Sequence, residues 1–317
     1  MCQEKRRRQI WRSAIFGFAV GDALGAPAEF GERWMRDMDS VREMRSGGVF
    51  DVPVGGWTDD TSMVLATMKS LENEFNLRDM MERFVDWYRN GTYTWSGRAI
   101  GIGKQVLRAL ETYEVTRDMK NCGGSLESDN GNGSLMRILP VCLYGWEQVH
   151  TSRWARETAI ANIHACSAMT HGHPRSQIAC GLYYFLVSSV LDEKGTLKER
   201  LQKGMVLGFD FYKEDSELLY FDRLRNLSEF CRQERGDIRS AGYVVDTLEA
   251  AVWCLITTEN FESALLKAVN LGLDTDTIAA VAGGLGGLYY GYECIPQKWM
   301  EALQNREMIE DAIAAQF

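Results

Sequence analysis

Apolar residues recur three and four positions apart along most of this chain, a period that leaves little room for any fold but a helical one. Ile10, Ala14, Phe18 and Ala19 share one helical face, as do Phe84, Val85 and Tyr88. Val244, Leu248, Ala251, Val252 and Leu255 make a further stripe, and Ala264, Leu265, Ala268 and Val269 another. From Ala179 to Leu191 the sequence is apolar nearly all round, which suits a helix in the centre of a bundle. Alternating strand patterns are few and short. The pattern predicts an all-α fold of many helices. Glycine clusters break it at Gly47-Gly48, Gly55-Gly56, Gly123-Gly124 and Gly131 to Gly133, where loops carrying chemistry are expected. Gly283-Gly284 and Gly286-Gly287 follow no strand, so they do not fit a dinucleotide fingerprint. Close helix packing explains them better.

Only five prolines occur in 317 residues and no Pro/Ser/Gly linker divides them, so residues 1–317 read as a single domain. A chain of about 300 residues buries roughly 75% of its extended surface, enough for a large core without staples. The eight cysteines are scattered, with no C-x-x-C pair, and several, such as Cys142 and Cys254, sit among apolar neighbours as small hydrophobes. A disulfide scaffold and a paired-cysteine zinc site are thereby excluded. Acids outnumber bases 44 to 35, which argues against broad affinity for nucleic acid or an anionic membrane. The one basic run, Lys5 to Arg8, reads as a solvated face. Gly21-Asp22 interrupts the N-terminal apolar stretch before it reaches signal-peptide length, and Thr277 to Tyr290 is too short and glycine-rich to span a bilayer. The expected setting is the reducing cytoplasm.

Two acid-hydroxyl clusters stand at the mouths of apolar helices. Thr58-Asp59-Asp60-Thr61-Ser62 precedes Met63 to Ala66, and Asp274-Thr275-Asp276-Thr277 precedes Ile278 to Ala282. One such cluster is accounted for by N-capping and the helix dipole. Adjacent carboxylates with hydroxyls also form a hard-oxygen set suited to magnesium or calcium, and two clusters are harder to explain by capping alone. The EF-hand glycine and terminal glutamate are missing, so the pair reads as one shared binuclear metal site.

Other features are weaker singly. Asp22 breaks an apolar helix face and needs a partner or a backbone bond, because an unpaired buried carboxylate is costly. Glu29 ends a Gly/Pro-interrupted helix, where it either reaches a cleft or lies on the surface. Asp129 to Arg137 carries Gly131, Asn132, Gly133 and Ser134 ahead of apolar residues, a loop able to hold a phosphate at a helix N-terminus or simply to turn. His171 and His173 are two of only four histidines, and each suits a polar ligand contact or a cap better than zinc. Gly101-Ile102-Gly103-Lys104 lacks the spacing of a P-loop.

The order of these motifs is more specific than any one of them. Gly21-Asp22-x-x-Gly25, Thr58-Asp59-Asp60, Gly131-Asn132-Gly133-Ser134-x-Met136-Arg137, Thr170-His171 and Asp274-Thr275-Asp276-Thr277 follow one another. From about Ile10 to Tyr292 the chain resembles the ADP-ribosylglycohydrolase family, of the dinitrogenase reductase-activating type. The resemblance implies an all-α fold around a cleft holding two magnesium ions, or manganese in some members. It implies Thr58, Asp59 and Asp60 on one ion, Asp274 and Thr277 on the other, and Asp276 bridging. By the same resemblance Glu29 lies beside the metals, the Gly131–Ser134 loop and His171 line an ADP-ribose pocket, and Gly101, Ile102 and Gly103 approach the distal ribose and phosphates. Bacterial arginine-type members often carry an aspartate where Gly101 stands, and glycines ahead of the last cluster where Leu273 stands.

The expected chemistry is hydrolysis of an ADP-ribose bond at the anomeric carbon, with Glu29, Asp59 or Asp60 relaying protons. Arginine-linked ADP-ribose on a modified protein is the expected substrate, by similarity to bacterial members and not by a residue that reads the linkage. Serine- or ester-linked ADP-ribose and phosphoesters are the other substrates considered. An immunity protein could also neutralise an ADP-ribosylating toxin by hydrolysis or by direct binding. A non-catalytic scaffold is disfavoured, since every carboxylate and threonine of the two clusters is present.

Overall fold

A computed structural model describes residues 3–317, and Cys2 lies outside the described residues. The all-α expectation holds. Among the described residues there is no strand, only three isolated bridges, Gly47 with Val52, Gly124 with His171 and Gly131 with Tyr243. The four apolar stripes fall in the helices Gln3–Gly25, Leu77–Asn90, Val244–Ile256 and Phe261–Val269. Pro174–Asp192 contains the segment read as central, and all but a few of its side chains are buried.

The fold is organised on the pairing of Gln3–Gly25 with Thr275–Tyr290. Glycine in a helix costs about 1 kcal/mol relative to alanine, so so many of them need a compensating gain. It is close approach. A Cβ on Gly17 would lie 2.3 Å from the Gly283 carbonyl oxygen, one on Gly21 2.1 Å from that of Ala279, and one on Gly287 2.1 Å from that of Ser13. The two backbones therefore touch along more than two turns, as the glycine pattern predicted. Gly25 meets the Cα of Asp276 in the same way, at 2.4 Å, so this packing also fixes where the last acid cluster sits. Thr275 completes the joint by donating its hydroxyl to the Gly25 carbonyl at 3.0 Å.

One expectation changes in degree. The first helix is buried nearly all round beyond Trp11, not along a stripe, because Thr275–Tyr290 covers one side and other helices the rest. Lys5, Arg6 and Arg8 are exposed as expected, whereas Arg7 pairs with Glu147 at 2.7 Å and lies over the Phe317 ring. Cys122, Cys142, Cys166, Cys180 and Cys254 are buried free thiols. Among the described residues no helix is long and apolar enough to cross a membrane.

Candidate active site

Asp22 is the residue from which the site is built. It is fully buried on the first helix and accepts from the start of Asp59–Leu71. The Thr58 N–H donates to its Oδ1 and Oδ2 at 3.0 and 3.1 Å, and the Thr61 N–H to Oδ2 at 3.0 Å. The hydroxyls of Thr58 and Thr61 donate at 3.0 and 2.6 Å. Asp22 thus caps a helix of another part of the chain, and these donors oppose the burial that pushes its carboxyl up to about 6. The Thr58 hydroxyl, closest to Asp22, also lies 3.3 Å from Asp60 Oδ2 and 3.4 Å from Asp276 Oδ2, longer donor contacts that place it between the two acid clusters.

The second cluster arrives from the opposite side. Asp276 and Thr277 occupy the first turn of Thr275–Tyr290, and the Thr277 hydroxyl lies 3.4 Å from Asp60 Oδ2. Asp274 stands at the N-cap without making a cap bond. Its Oδ2 instead accepts from Asn132 Nδ2 at 2.8 Å, and Asn132 also reaches the Thr247 hydroxyl at 2.9 Å. Capping therefore accounts for Thr58 alone, whose oxygen accepts from the Asp60 N–H at 3.4 Å. Glu29 follows the short turn Ala26–Ala28, and its carboxylate comes within 4.8 Å of those of Asp274 and Asp276.

These acids are not neutralised by the protein. Glu29 Oε2, Asp60 Oδ1 and Asp276 Oδ1 are buried with no hydrogen-bond partner. Burial first, then the neighbouring acids, pushes Glu29 up to about 9 and Asp59 up to about 8, and raises Asp60 and Asp276 well above the usual range. Asp274 is raised by burial against the opposing bond from Asn132. Crowded oxygen donors without hydrogen-bond partners fit a hard divalent cation, which would displace their protons, and the set contains no sulfur or imidazole that would favour zinc.

A cleft of about 290 Å³ opens over this floor. Glu29, Asp59, Asp60, Asp274, Asp276 and Thr277 line its base, and Gly101, Gly103, Gly131, Asn132, Gly133 and His171 its walls. His171 is buried, with Nδ1 2.8 Å from the Thr170 hydroxyl; burial and Arg137 lower its ring to about 3, which keeps it neutral. His173 does not reach the cleft and caps Pro174–Asp192 through Nδ1, on the Arg175 N–H at 3.2 Å. A larger groove of about 1020 Å³ lies between the chain's two ends, but its Arg7–Glu147 charges are already paired.

Two expected wall residues turn away. Ser134 is wholly buried, bonded by the Ser167 hydroxyl at 3.0 Å, because its loop leads into the one-turn helix Leu135–Arg137 against the core. Ile102 packs against the core instead of lining the cleft. The loop's phosphate cradle is also reduced, since the Asn132 N–H is spent on the Gly242 carbonyl at 3.0 Å. Fully buried Arg137 holds that loop from behind, donating to the Gly133 and Cys166 carbonyls, each at 3.1 Å. Gly101 has φ of 89° and a Cβ there would lie 2.3 Å from Asp59 Oδ1, so Asp59 fills the space an aspartate at 101 would need.

Six residues assigned no site role from the sequence also border the cleft, namely Phe30, Lys104, Gln105, Val106, Met136 and Gly242. Phe30 and Leu273 both hold left-handed backbones, φ 60° and 63°. The Phe30 N–H donates to the Leu273 carbonyl and the Leu273 N–H to the Gly31 carbonyl, both at 2.7 Å, which ties the Glu29 turn to Asp274. Leucine here adopts the conformation that glycine takes without strain.

An all-helical protein with buried carboxylates and hydroxyls at the base of a cleft has the donor set of a metal-assisted enzyme. The ADP-ribosylglycohydrolase family model matches residues 3–317, and the chain belongs to that family. It is 33% identical over 302 residues to the ADP-ribosylarginine hydrolase Tri1 of Serratia proteamaculans, covering 95% of this chain and 76% of that one. It is 29% identical to the ADP-ribosyl-[dinitrogen reductase] glycohydrolase of Rhodospirillum rubrum, over 92% of this chain and 90% of that one. A solved structure titled ADP-ribosylglycohydrolase-related protein complex superposes with a TM-score of 0.80 at 32% identity, covering 98% of both chains.

Proposed function

We propose that this chain hydrolyses the bond between ADP-ribose and the guanidino group of a modified arginine on a protein, reversing mono-ADP-ribosylation. The observation that carries the reading is the convergence of three buried, unpartnered carboxylate oxygens, from Glu29, Asp60 and Asp276, on one cleft floor. The arginine linkage is supported by the names of its relatives in Serratia proteamaculans and Pseudomonas putida, both ADP-ribosylarginine hydrolases. One contiguous apolar core supports treating residues 1–317 as a single domain.

Thr58, Asp59, Asp60, Asp274, Asp276 and Thr277 would hold two magnesium ions, with manganese as a substitute. Such ions, when bound, supply positive charge for ribose oxygens and lower the pKa of bound water. The protein's own part is orientation and proton exchange. Asp22 holds Thr58 by accepting from its hydroxyl, and Asn132 holds Asp274. Neutral His171 and the Gly131–Gly133 backbone offer contacts to the sugar without adding charge. Glu29, half-buried with a free Oε2, is assigned the proton exchange: water adds to the anomeric carbon, the carbon–nitrogen bond breaks, and the guanidino nitrogen leaves carrying a proton.

The test is a linkage panel offering arginine-, serine- and ester-linked ADP-ribose and a nucleotide phosphoester, with magnesium and with chelator. Release of ADP-ribose from the arginine conjugate, lost on chelation, is expected. Activity indifferent to chelation, or phosphate release alone, would overturn the reading. For an ADP-ribosylating toxin as a partner, protection that survives Asp60→Asn together with Asp276→Asn would assign it to direct binding.

A further inference from the structure

Arg137 carries a charge that the fold does not balance. Its side chain is wholly buried, and among the described residues no carboxylate pairs with it. One Nη donates to the Gly133 carbonyl and the other to the Cys166 carbonyl, while Nε has no partner. Its Cζ lies 4.8 Å from the centre of the Phe84 ring. Burial lowers the group from its ordinary value, but a guanidinium keeps its proton inside a protein. Two neutral carbonyls and a ring face offset only part of the desolvation of such a cation. Holding carbonyls needs donors alone, and a neutral amide brings donors without that desolvation. What the arginine adds is its charge.

That charge stands one peptide behind the cleft wall. Gly133, whose carbonyl it holds, lines the cleft, as does His171. A Cβ on Gly133 would come 2.9 Å from His171 Cε1, so the loop and the ring form one surface. Arg137 is near enough to that ring to help keep it neutral, after burial. The floor in front carries Glu29, Asp59, Asp60, Asp274 and Asp276, a set that repels a phosphate. Among the described residues that line the cleft, Lys104 is the one lysine or arginine, and it is exposed. Salt screens an exposed charge and leaves a buried one much less affected.

We propose that Arg137 is a positioning residue for the anionic part of the substrate: its unbalanced charge, acting through the Gly131–Gly133 wall, attracts the pyrophosphate of ADP-ribose without touching it. This rests on the hydrolase reading above and adds to it a source of positive charge besides the metals.

The experiment separates charge from donors. Arg137→Gln keeps amide donors and loses the charge, and melting temperatures check the fold. Two substrates carry the same bond: ADP-ribosylarginine, and ribosylarginine, which lacks the pyrophosphate. In Arg137→Gln the KM for ADP-ribosylarginine should rise about ten-fold or more with kcat retained, while kcat/KM for ribosylarginine changes by about two-fold at most. Magnesium alone, titrated by calorimetry, should bind as in wild type. Equal losses on both substrates, weaker magnesium binding, or a wild-type KM in the Gln variant would leave Arg137 as a tether and overturn the proposal. Should the Gln variant not fold, Arg137→Met takes its place with the same expectations. Unfolding of both variants would give the cation to the fold alone and overturn the proposal as well. If the wild type cleaves neither substrate, the hydrolase reading fails by itself, and calorimetry with ADP-ribose then judges Arg137 on binding, which separates the two failures.

Discussion

Asp22 needs no contact with substrate to matter. Five hydrogen-bond contacts from Thr58 and Thr61 end on its two oxygens, so its carboxylate sets both the helix start and the direction of the Thr58 hydroxyl. In Asp22→Asn an NH2 would face N–H and O–H donors, leaving one or two of them unsatisfied. The expected cost is about 2–3 kcal/mol in chemical denaturation. Outer partners of metal ligands typically carry 10–100-fold in affinity, so magnesium titrated by calorimetry should bind about that much more weakly. Wild-type affinity in this variant would mean that Asp22 only supports the fold. Gly101 gives a complementary case. Ala or Asp at 101 meets both an unfavourable φ and Asp59 Oδ1, so Gly101→Ala should lose about 1–2 kcal/mol and displace Asp59. A fall in kcat/KM with Gly101→Asp, and no gain on arginine conjugates, is the outcome that agrees with this geometry.

Between elements, the magnitudes favour backbone contact over helix propensity. Gly21→Ala should gain about 1 kcal/mol in an isolated helix. Here the new methyl would stand 2.1 Å from a main-chain oxygen that no side-chain rotation can clear, so the helix pair must separate. A net loss of about 2 kcal/mol or more, with a lower Tm, is expected, in the range of overpacked cores. A neutral Gly21→Ala would contradict the packing. The helical period and the glycine spacing made this joint readable in advance, because both are local properties of the chain. The two acid clusters were readable for the same reason. What was not readable depends on sequence-distant meetings: Asp22 receiving the Thr58 turn, Asn132 holding Asp274, and Ser167 holding Ser134 inward. Asp22 did leave a trace, a charge on an apolar face, but nothing in the sequence names its partner. Phe30 left none, since its role comes from a backbone angle paired with Leu273 across the fold.

For the whole molecule, the cleft's crowded acids set a pH dependence that a cation should reverse. Glu29 and Asp59, raised by burial to about 9 and about 8, bind more protons in the cation-free folded state than in the unfolded chain, where carboxyls titrate near ~4. Their contribution is complete below that unfolded value and is lost as pH rises toward 8 and 9. His164 and His171 act in the opposite sense, lowered by burial to about 4 and about 3. Their stability is complete above ~6.5 and is lost as pH falls through the folded values, on the order of 3 kcal/mol for His164. The histidines oppose the acids only below ~6.5, so above that value cation-free protein should weaken steadily. Magnesium binds the deprotonated cluster, so its stabilising increment should grow with pH. At about 100 times its dissociation constant the increment is about 2.7 kcal/mol. Melting temperatures at pH 5.5 and 8.5, each with EDTA and with magnesium, give the decisive comparison: the magnesium increment should be larger at 8.5. Asp60→Asn with Asp276→Asn should abolish that increment, and His164→Gln should flatten the acid limb alone. An increment equal at both pH values, or one that survives loss of both aspartates, would place the cation somewhere other than this cleft.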